Sequence, residues 1–357
     1  MTVEAGYHPL PMGQRANLIV RATEGDELYY SHWRANTLDS DLFWGPEAAT
    51  AFARAQRSVD EGAEWLDEIW AEGGAVIDHV ERVVLWFGGE DVAYDVPLRR
   101  VHLALMSECW PGWEVRWAHE HITQLAAHVG RSWHDLLTAE REPVEGDFPD
   151  EPFPVPGEHD GDLGLMSAVS TRAADGTWKV LGVAGVADSL ALVGPAVAAK
   201  LAATPAPAAF DYARHARALP TGCLHLDLAT RRFELWVALP HPDFERRLRD
   251  AWPGWEVRWH RDRFEAVTEM LGDRLVLPFD TEASLLAQVR AIALRESRDR
   301  SGLVPQLAAT PPRSAGAGEV GINPFALRDD PSPSPGPHAE IAFERLVERW
   351  RAKRRSS

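Results

Sequence analysis

His32 stands at the end of an aromatic run with Tyr29, Tyr30 and Trp33. An imidazole beside a carboxylate is the commonest general base, and Glu47 and Glu72 are the carboxylates that would complete such a pair, most plausibly in a hydrolase. His119-Glu120-His121 offers a second chemistry. Its imidazoles at i and i+2 face one way on a strand, as two metal ligands would. Asp39 and Asp41 could form a carboxylate clamp for a cation. Each motif also has a plainer reading. Asp39 suits a turn or a helix cap. A later stretch of the chain carries Arg261 and Arg263 where His119 and His121 stand, which suits the start of a surface helix. No metal site and no cofactor is therefore expected. Cys109 follows an apolar helical face and reads as a buried, inert thiol. Phosphate loops, nucleophile elbows and zinc-spaced cysteines are absent from the sequence. Gly88-Gly89 is followed by Glu90-Asp91, which would repel a phosphate.

The elements that position these residues come from a repeat. The octet Trp110-Pro-Gly-Trp-Glu-Val-Arg-Trp117 recurs unchanged at Trp252–Trp259. Upstream, Asp39-Ser40 matches Asp188-Ser189, Gly45-Pro46 matches Gly194-Pro195, and Asp78 matches Asp227, each pair 149 residues apart. The same comparison sets Trp86 against Trp236, with an extra residue in a turn, and gives the first copy additional residues around Gly88–Pro97. The turn residues Glu24-Gly25-Asp26 and Asp175-Gly176 sit inside apolar runs, a hairpin signal. Val101, Leu105 and Cys109 recur at helical spacing. The expected fold is α+β: a tandem duplication of a ββαββαβα-type unit with antiparallel sheets, the two copies related by a pseudo-twofold. The boundaries read as a first unit at 12–138, an acidic Pro-rich linker at 139–162 and a second unit at 163–272. A helical extension at 273–303, a Pro/Ala/Ser/Gly-rich linker at 304–337 and a basic amphipathic helix at 338–357 follow. Within the octets, Trp113 and Trp117 are expected to be buried, with Glu114 and Arg116 on the opposite face.

Positions that both units share serve the common scaffold. Polar or aromatic groups found in one unit alone are free for function. At the common offset, Trp44 and Glu47 become Val193 and Ala196, and Trp65, Asp67, Trp70 and Glu72 become Arg214, Ala216, Leu219 and Thr221. His32-Trp33 is set against Leu181-Gly182. The first unit is thus the expected functional copy. Its binding candidates are Trp33, Trp44, Trp65, Asp67, Trp70, Glu90 and Asp91, and its catalytic candidates, should it be an enzyme, are His32, Glu47 and Glu72.

Composition narrows the class of partner. The chain has 357 residues, 37 Lys+Arg against 54 Asp+Glu and a net charge of −17, so nucleic acid would be repelled over most of the surface. There is no apolar run long enough for a membrane span and no leader pattern. Two cysteines in a chain of this size read as reduced thiols of a cytoplasmic protein. Fifteen tryptophans imply a large aromatic core or an aromatic-lined site. Two functions remain open. One is a non-catalytic binding or regulatory protein, of the immunity type for example, whose acidic, Trp-rich first unit holds a basic protein. The other is the hydrolase above. The basic C-terminal helix either folds back on the acidic body or meets a separate acidic partner.

Overall fold

The computed structural model describes residues 14–59, 65–137, 166–184, 187–295, 336 and 338–356. The two expected linkers at 139–162 and 304–337 fall outside these residues, apart from Gly336.

The first half opens with the hairpin β1 (Ala16–Ala22) and β2 (Gly25–Ser31). A short helix α1 (Leu38–Asp41), helix α2 (Pro46–Ala55) and the two-residue strand β3 (Arg57–Ser58) follow. The hairpin β4 (Gly73–Asp78) and β5 (Val83–Phe87) leads into α3 (Glu90–Tyr94), α4 (Val96–Cys109), β6 (Glu114–Trp117) and α5 (His121–His128). The sheet order is β3-β2-β1-β4-β5-β6. β1 lies parallel to β4, and β5 parallel to β6, while the other neighbours are antiparallel. The sheets are therefore mixed, which corrects the antiparallel expectation. Each parallel pair is joined through helices, and parallel neighbours need such a crossover.

The second half repeats this order. It runs β7 (Met166–Arg172), β8 (Trp178–Ala184), α6 (Ala187–Leu192), α7 (Ala196–Ala203) and the short β9 (Phe210–Asp211). Then come β10 (Gly222–Asp227), β11 (Arg232–Val237), α8 (Phe244–Ala251), β12 (Glu256–Trp259), α9 (Glu265–Leu271) and β13 (Leu275–Val276). Its main sheet is β12-β11-β10-β7-β8, with β7–β10 and β11–β12 parallel. This is the strand order and pairing sense of β6-β5-β4-β1-β2. Small features recur as well. Asp78 Oδ1 accepts from the N–H groups of Val80 and Glu81, and Asp227 Oδ1 from those of Ala229 and Thr230, closing the same turn. Gly45 and Gly194 both have positive φ, and a Cβ there would lie 2.7 and 2.4 Å from the carbonyl oxygens of Cys109 and Ala251. Only glycine fits that approach.

The register corrects one expected match. Trp86 pairs with Ala75 and Trp117, as Leu235 pairs with Leu224 and Trp259. Trp236 pairs with Cys223, as Phe87 does with Gly74. Trp86 is therefore the counterpart of Leu235, and Trp236 of Phe87. The two hairpin turns have equal length, and adjacent strand residues face opposite sides of a sheet.

The octets do form the same turn and strand in both halves. Their deepest rings are the first ones. Trp110 and Trp252 are fully buried and donate Nε1–H to the carbonyls of Leu42 (3.1 Å) and Ala191 (2.6 Å). Trp117 is buried and Glu114 and Arg116 are exposed, as expected, but Trp113 is only half-buried, set edge-on between Trp110 and His79. It sits in the turn before the strand begins, outside the alternation that buries Trp117.

Beyond the repeat, α10 (Glu282–Ala293) and α11 (Ala339–Ser356) cover α4. Phe343, Leu346 and Trp350 of α11 are buried in the core of the first half. Arg290–Glu340 and Arg354–Glu282 at 2.8 Å, and Lys353–Glu108 at 2.6 Å, flank that contact. Of the two roles open to the basic helix, folding back on the body is the one observed.

His102 of α4 lies in the same core, edge-on to Phe43 and near Trp86, with Nε2–H donating to the Asp39 carbonyl at 2.8 Å. Burial pushes its pKa down to about 4. An unfolded imidazole titrates near 6.5. Between these values the unfolded chain takes up a proton that the native chain refuses, so stability is lost as pH falls from about 6.5 to about 4. In His102→Gln the acid-side slope of unfolding free energy against pH is expected to flatten. Denaturant titrations at a series of pH values check this, and an unchanged slope would contradict it.

Candidate functional site

The end of the first sheet where β4 begins and β5 ends gathers several of the candidate residues. The stretch from Asp60 to Glu72 contains six acids and no Lys or Arg. Its described part, 65–72, is tied to the sheet by Asn17. Asn17 is fully buried on β1 and accepts from Leu66 N–H at 2.7 Å. Asp67 Oδ1 accepts from the N–H groups of Ile69 and Trp70, each at 2.9 Å. This turn holds Ile69 and Trp70 outward, at 53% and 40% exposure. The Arg15 guanidinium lies 4.3 Å from the centre of the Trp70 ring, and Glu72 Oε2 accepts the Arg15 backbone N–H at 2.8 Å. Burial raises the Glu72 carboxyl above its ordinary value, against the opposing pull of that hydrogen bond.

Glu90 and Asp91 flank the same sheet end. A Cβ on Gly88 would lie 3.1 Å from Gly73 Cα, so the loop carrying them abuts the start of β4. Glu90 is exposed in the first turn of α3, with Asn36 Nδ2 at 3.5 Å. Asp91 forms an ion pair with Arg295, which also stands 3.6 Å from Asp39. Asp39 is fully buried, and burial pushes its carboxyl up to about 7 against the Arg295 charge. Asp41 accepts from the Thr37 hydroxyl at 2.8 Å. Asp188, the counterpart of Asp39, is also buried, with His241 Nε2 at 3.3 Å. Both halves thus use this aspartate inside the scaffold, beside Arg295 in the first and His241 in the second.

The remaining candidates lie elsewhere. Trp44 donates Nε1–H to Ala293 O at 2.9 Å and anchors α10. Trp65 is half-buried, with Arg131 5.3 Å from its ring centre. Glu47 is exposed on the first turn of α2. His32 is 1% exposed, its Nδ1 2.7 Å from the Tyr30 hydroxyl and its ring edge-on to Trp33. So Asp67, Trp70 and Glu72 lie on one turn and Glu90 and Asp91 on α3 beyond the loop that abuts the start of β4, while Trp44 and Trp65 are drawn into packing. The register also shifts the counterpart of His32. Arg21 faces Asp78 as Arg172 faces Asp227, and the longer turn after β7 brings Ala184, not Leu181, to that position. Ser31 and His32 are therefore matched by Val183 and Ala184, both apolar.

Two metal-like groupings resolve as structure. Glu120 accepts from the N–H groups of Phe244 (2.8 Å) and Glu245 (3.2 Å), His119 turns toward Asp262, and His121 stacks on Phe87. The motif His119-Glu120-His121 is a latch between the halves. Among the described residues, Asp78, Glu81 and His128 could also converge on a cation. The Asp78 carboxylate is already engaged by two N–H groups and by His128 Nε2 at 3.0 Å, with Arg21 at 3.9 Å. Cys109 and Cys223 are free thiols, and burial pushes both up to about 12, well away from nucleophilic character.

Among the described residues, no helix is long and apolar enough to cross a membrane. No known protein family matches the chain, and neither a curated protein nor a solved structure is significantly similar to it.

Proposed function

We propose that this is a non-catalytic binding or regulatory protein of the cytoplasm, whose acidic, Trp-bearing rim on the first half holds a basic protein. An immunity-type neutraliser of a basic toxin is one form of that activity. The observation that carries the reading is the turn at 67–72. It presents Ile69 and Trp70 outward on the turn that carries Asp67 and Glu72. An exposed Trp on a turn that also carries carboxylates suits an Arg- or Lys-rich surface, because the ring attracts a cation and the acids steer it. Arg15, lying on Trp70 with its backbone N–H on Glu72, is an internal example of the same recognition. The second half has Leu219 and Thr221 in place of Trp70 and Glu72, so the scaffold does not demand either.

The test is capture from the native host with wild-type protein and a Trp70→Ala/Glu72→Gln variant side by side, with mass spectrometry of what each retains. A basic protein kept by the wild type and lost by the variant, at equal melting temperature, supports the reading. Identical sets of captured proteins would reject the rim. Glu47→Ala, on α2 and away from the rim, is expected to leave both capture and melting within about 0.5 kcal/mol of wild type, as surface substitutions usually do.

The hydrolase alternative gains less. His32 is almost wholly buried, and Glu72 and Glu90 are engaged with Arg15 and Asn36. Its chief support is that Ser31 and His32 have apolar counterparts in Val183 and Ala184.

A further inference from the structure

The second half, read from sequence as scaffold, carries a cleft of its own. It has a volume of about 550 Å³ and is lined by α8, by β12 and by the turn that follows β12, with His119 reaching in from the first half. Small-ligand sites usually fall at roughly 300–1,000 Å³. The turn is His260-Arg261-Asp262-Arg263, where the first half has Ala118-His119-Glu120-His121. Ala118 N–H and His260 N–H donate to the equivalent carbonyls of Trp86 and Leu235, so the two turns start alike and differ in side chains. Arg261 holds a left-handed backbone with φ of 52°. Such a conformation is uncommon for a non-glycine residue and often marks a functional turn.

Charge at the cleft runs against the rest of the molecule. Three guanidinium groups of the lining, those of Arg249, Arg261 and Arg263, meet two carboxylates, Glu245 and Asp262. Asp262 is taken by Arg99, and Glu245 is shared by Arg249 at 3.1 Å and Arg261 at 3.2 Å. The Arg263 side chain makes no ion pair among the described residues and is exposed at the mouth. His260, also in the lining, donates to the buried Glu234 at 2.5 Å, and Arg258 stands 3.9 Å from the same carboxylate. The lining side chains carry an excess of one positive charge on a chain of net charge −17. The rings of His119 and Trp259 lie edge to face, 5.8 Å apart, at the cleft wall. Leu248, Val257 and the Trp259 ring supply an apolar side to the same space.

We propose that this cleft binds a small phosphate monoester carrying an apolar or ring-shaped body. A phosphate group suits the guanidinium groups of Arg249, Arg261 and Arg263, whose planar donors pair with its oxygens. The body packs on Leu248, Val257 and Trp259. The site is separate from the acidic rim, and its test does not depend on any protein partner.

Phenyl phosphate is the probe, titrated calorimetrically into the full chain beside inorganic phosphate and phenol. Phenyl phosphate is expected to bind at least about tenfold more tightly than either fragment, a difference of about 1.4 kcal/mol. Arg263→Gln and, separately, Arg249→Gln are expected to weaken it at least about fivefold with an unchanged melting temperature. Both side chains are exposed, so neither variant should unfold the chain. The inference is overturned by absence of binding up to about 10 mM, by inorganic phosphate binding as well as phenyl phosphate, or by equal affinity in wild type and both variants.

Discussion

Replacing Arg99 by Ala should destabilise the folded chain by about 3–5 kcal/mol, the range for breaking a buried ion pair from one side. Arg99 is fully buried on α4, yet its partner Asp262 belongs to the second half, bonded twice at 3.0 and 2.5 Å. Its other donors reach the carbonyls of Val92 (3.2 Å) and Ala93 (2.8 Å), and its guanidinium lies 4.6 Å from the Trp117 ring centre. Those carbonyls lie near the C-terminal end of α3, which has orphan acceptors to satisfy. The Arg99 charge is also the largest force holding the Asp262 carboxyl below its ordinary value against burial. Alanine would leave Asp262 with no matched cation and the end of α3 uncapped. A double variant, Arg99→Met with Asp262→Leu, should recover much of the loss, because a buried pair adds little net stability over well-packed apolar groups. Denaturant midpoints of the two variants decide the matter. Wild-type stability in Arg99→Ala would show that water reaches the pair.

Trp110→Ala should cost a comparable amount, about 3–5 kcal/mol, as large aromatic-to-alanine changes in cores do. The ring fills the first core and satisfies the buried Leu42 carbonyl, so the variant would leave both a cavity and an unpaired acceptor. Trp252→Ala should behave alike in the second half, where the same bond goes to Ala191. Trp113→Ala, three residues away and half-buried, should cost only about 1–2 kcal/mol, in keeping with the area it removes from water. Equal losses at Trp110 and Trp113 would mean that the burial described for the octet is wrong.

The unit and its order of elements were legible in the sequence because hairpin turns, helical spacing and an unchanged octet leave marks in the chain itself. The antiparallel reading failed because strand direction depends on how the helical crossovers return, which local periodicity does not record. The match of Trp86 with Trp236 failed for a related reason. Two tryptophans one residue out of register look alike in a sequence, while the pleat sends them to opposite faces. Arg99 left no mark either. A charged residue on a helix reads as solvated, and its partner is 163 residues away. The rim was partly legible. Comparison of the two halves picked out Trp70, Glu72, Glu90 and Asp91, but it could not separate them from Trp44 and Trp65, whose rings pack against α10 and Arg131. The substitution of Arg261 and Arg263 for His119 and His121 was visible, yet its meaning lay in a cleft that only the fold brings together.

The most direct measurement of the central proposal is the affinity of the captured basic partner, once purified, for wild-type protein and for the Trp70→Ala/Glu72→Gln variant at low and high salt. A desolvated charge contact at an interface contributes about 2–5 kcal/mol on truncation. The variant should therefore bind at least about tenfold more weakly, with wild-type melting, and association with the wild type should slow steeply as salt shortens the Debye length toward about 3 Å at 1 M. Equal affinity of variant and wild type, with no response to salt, would contradict the assignment of the acidic rim as the binding surface.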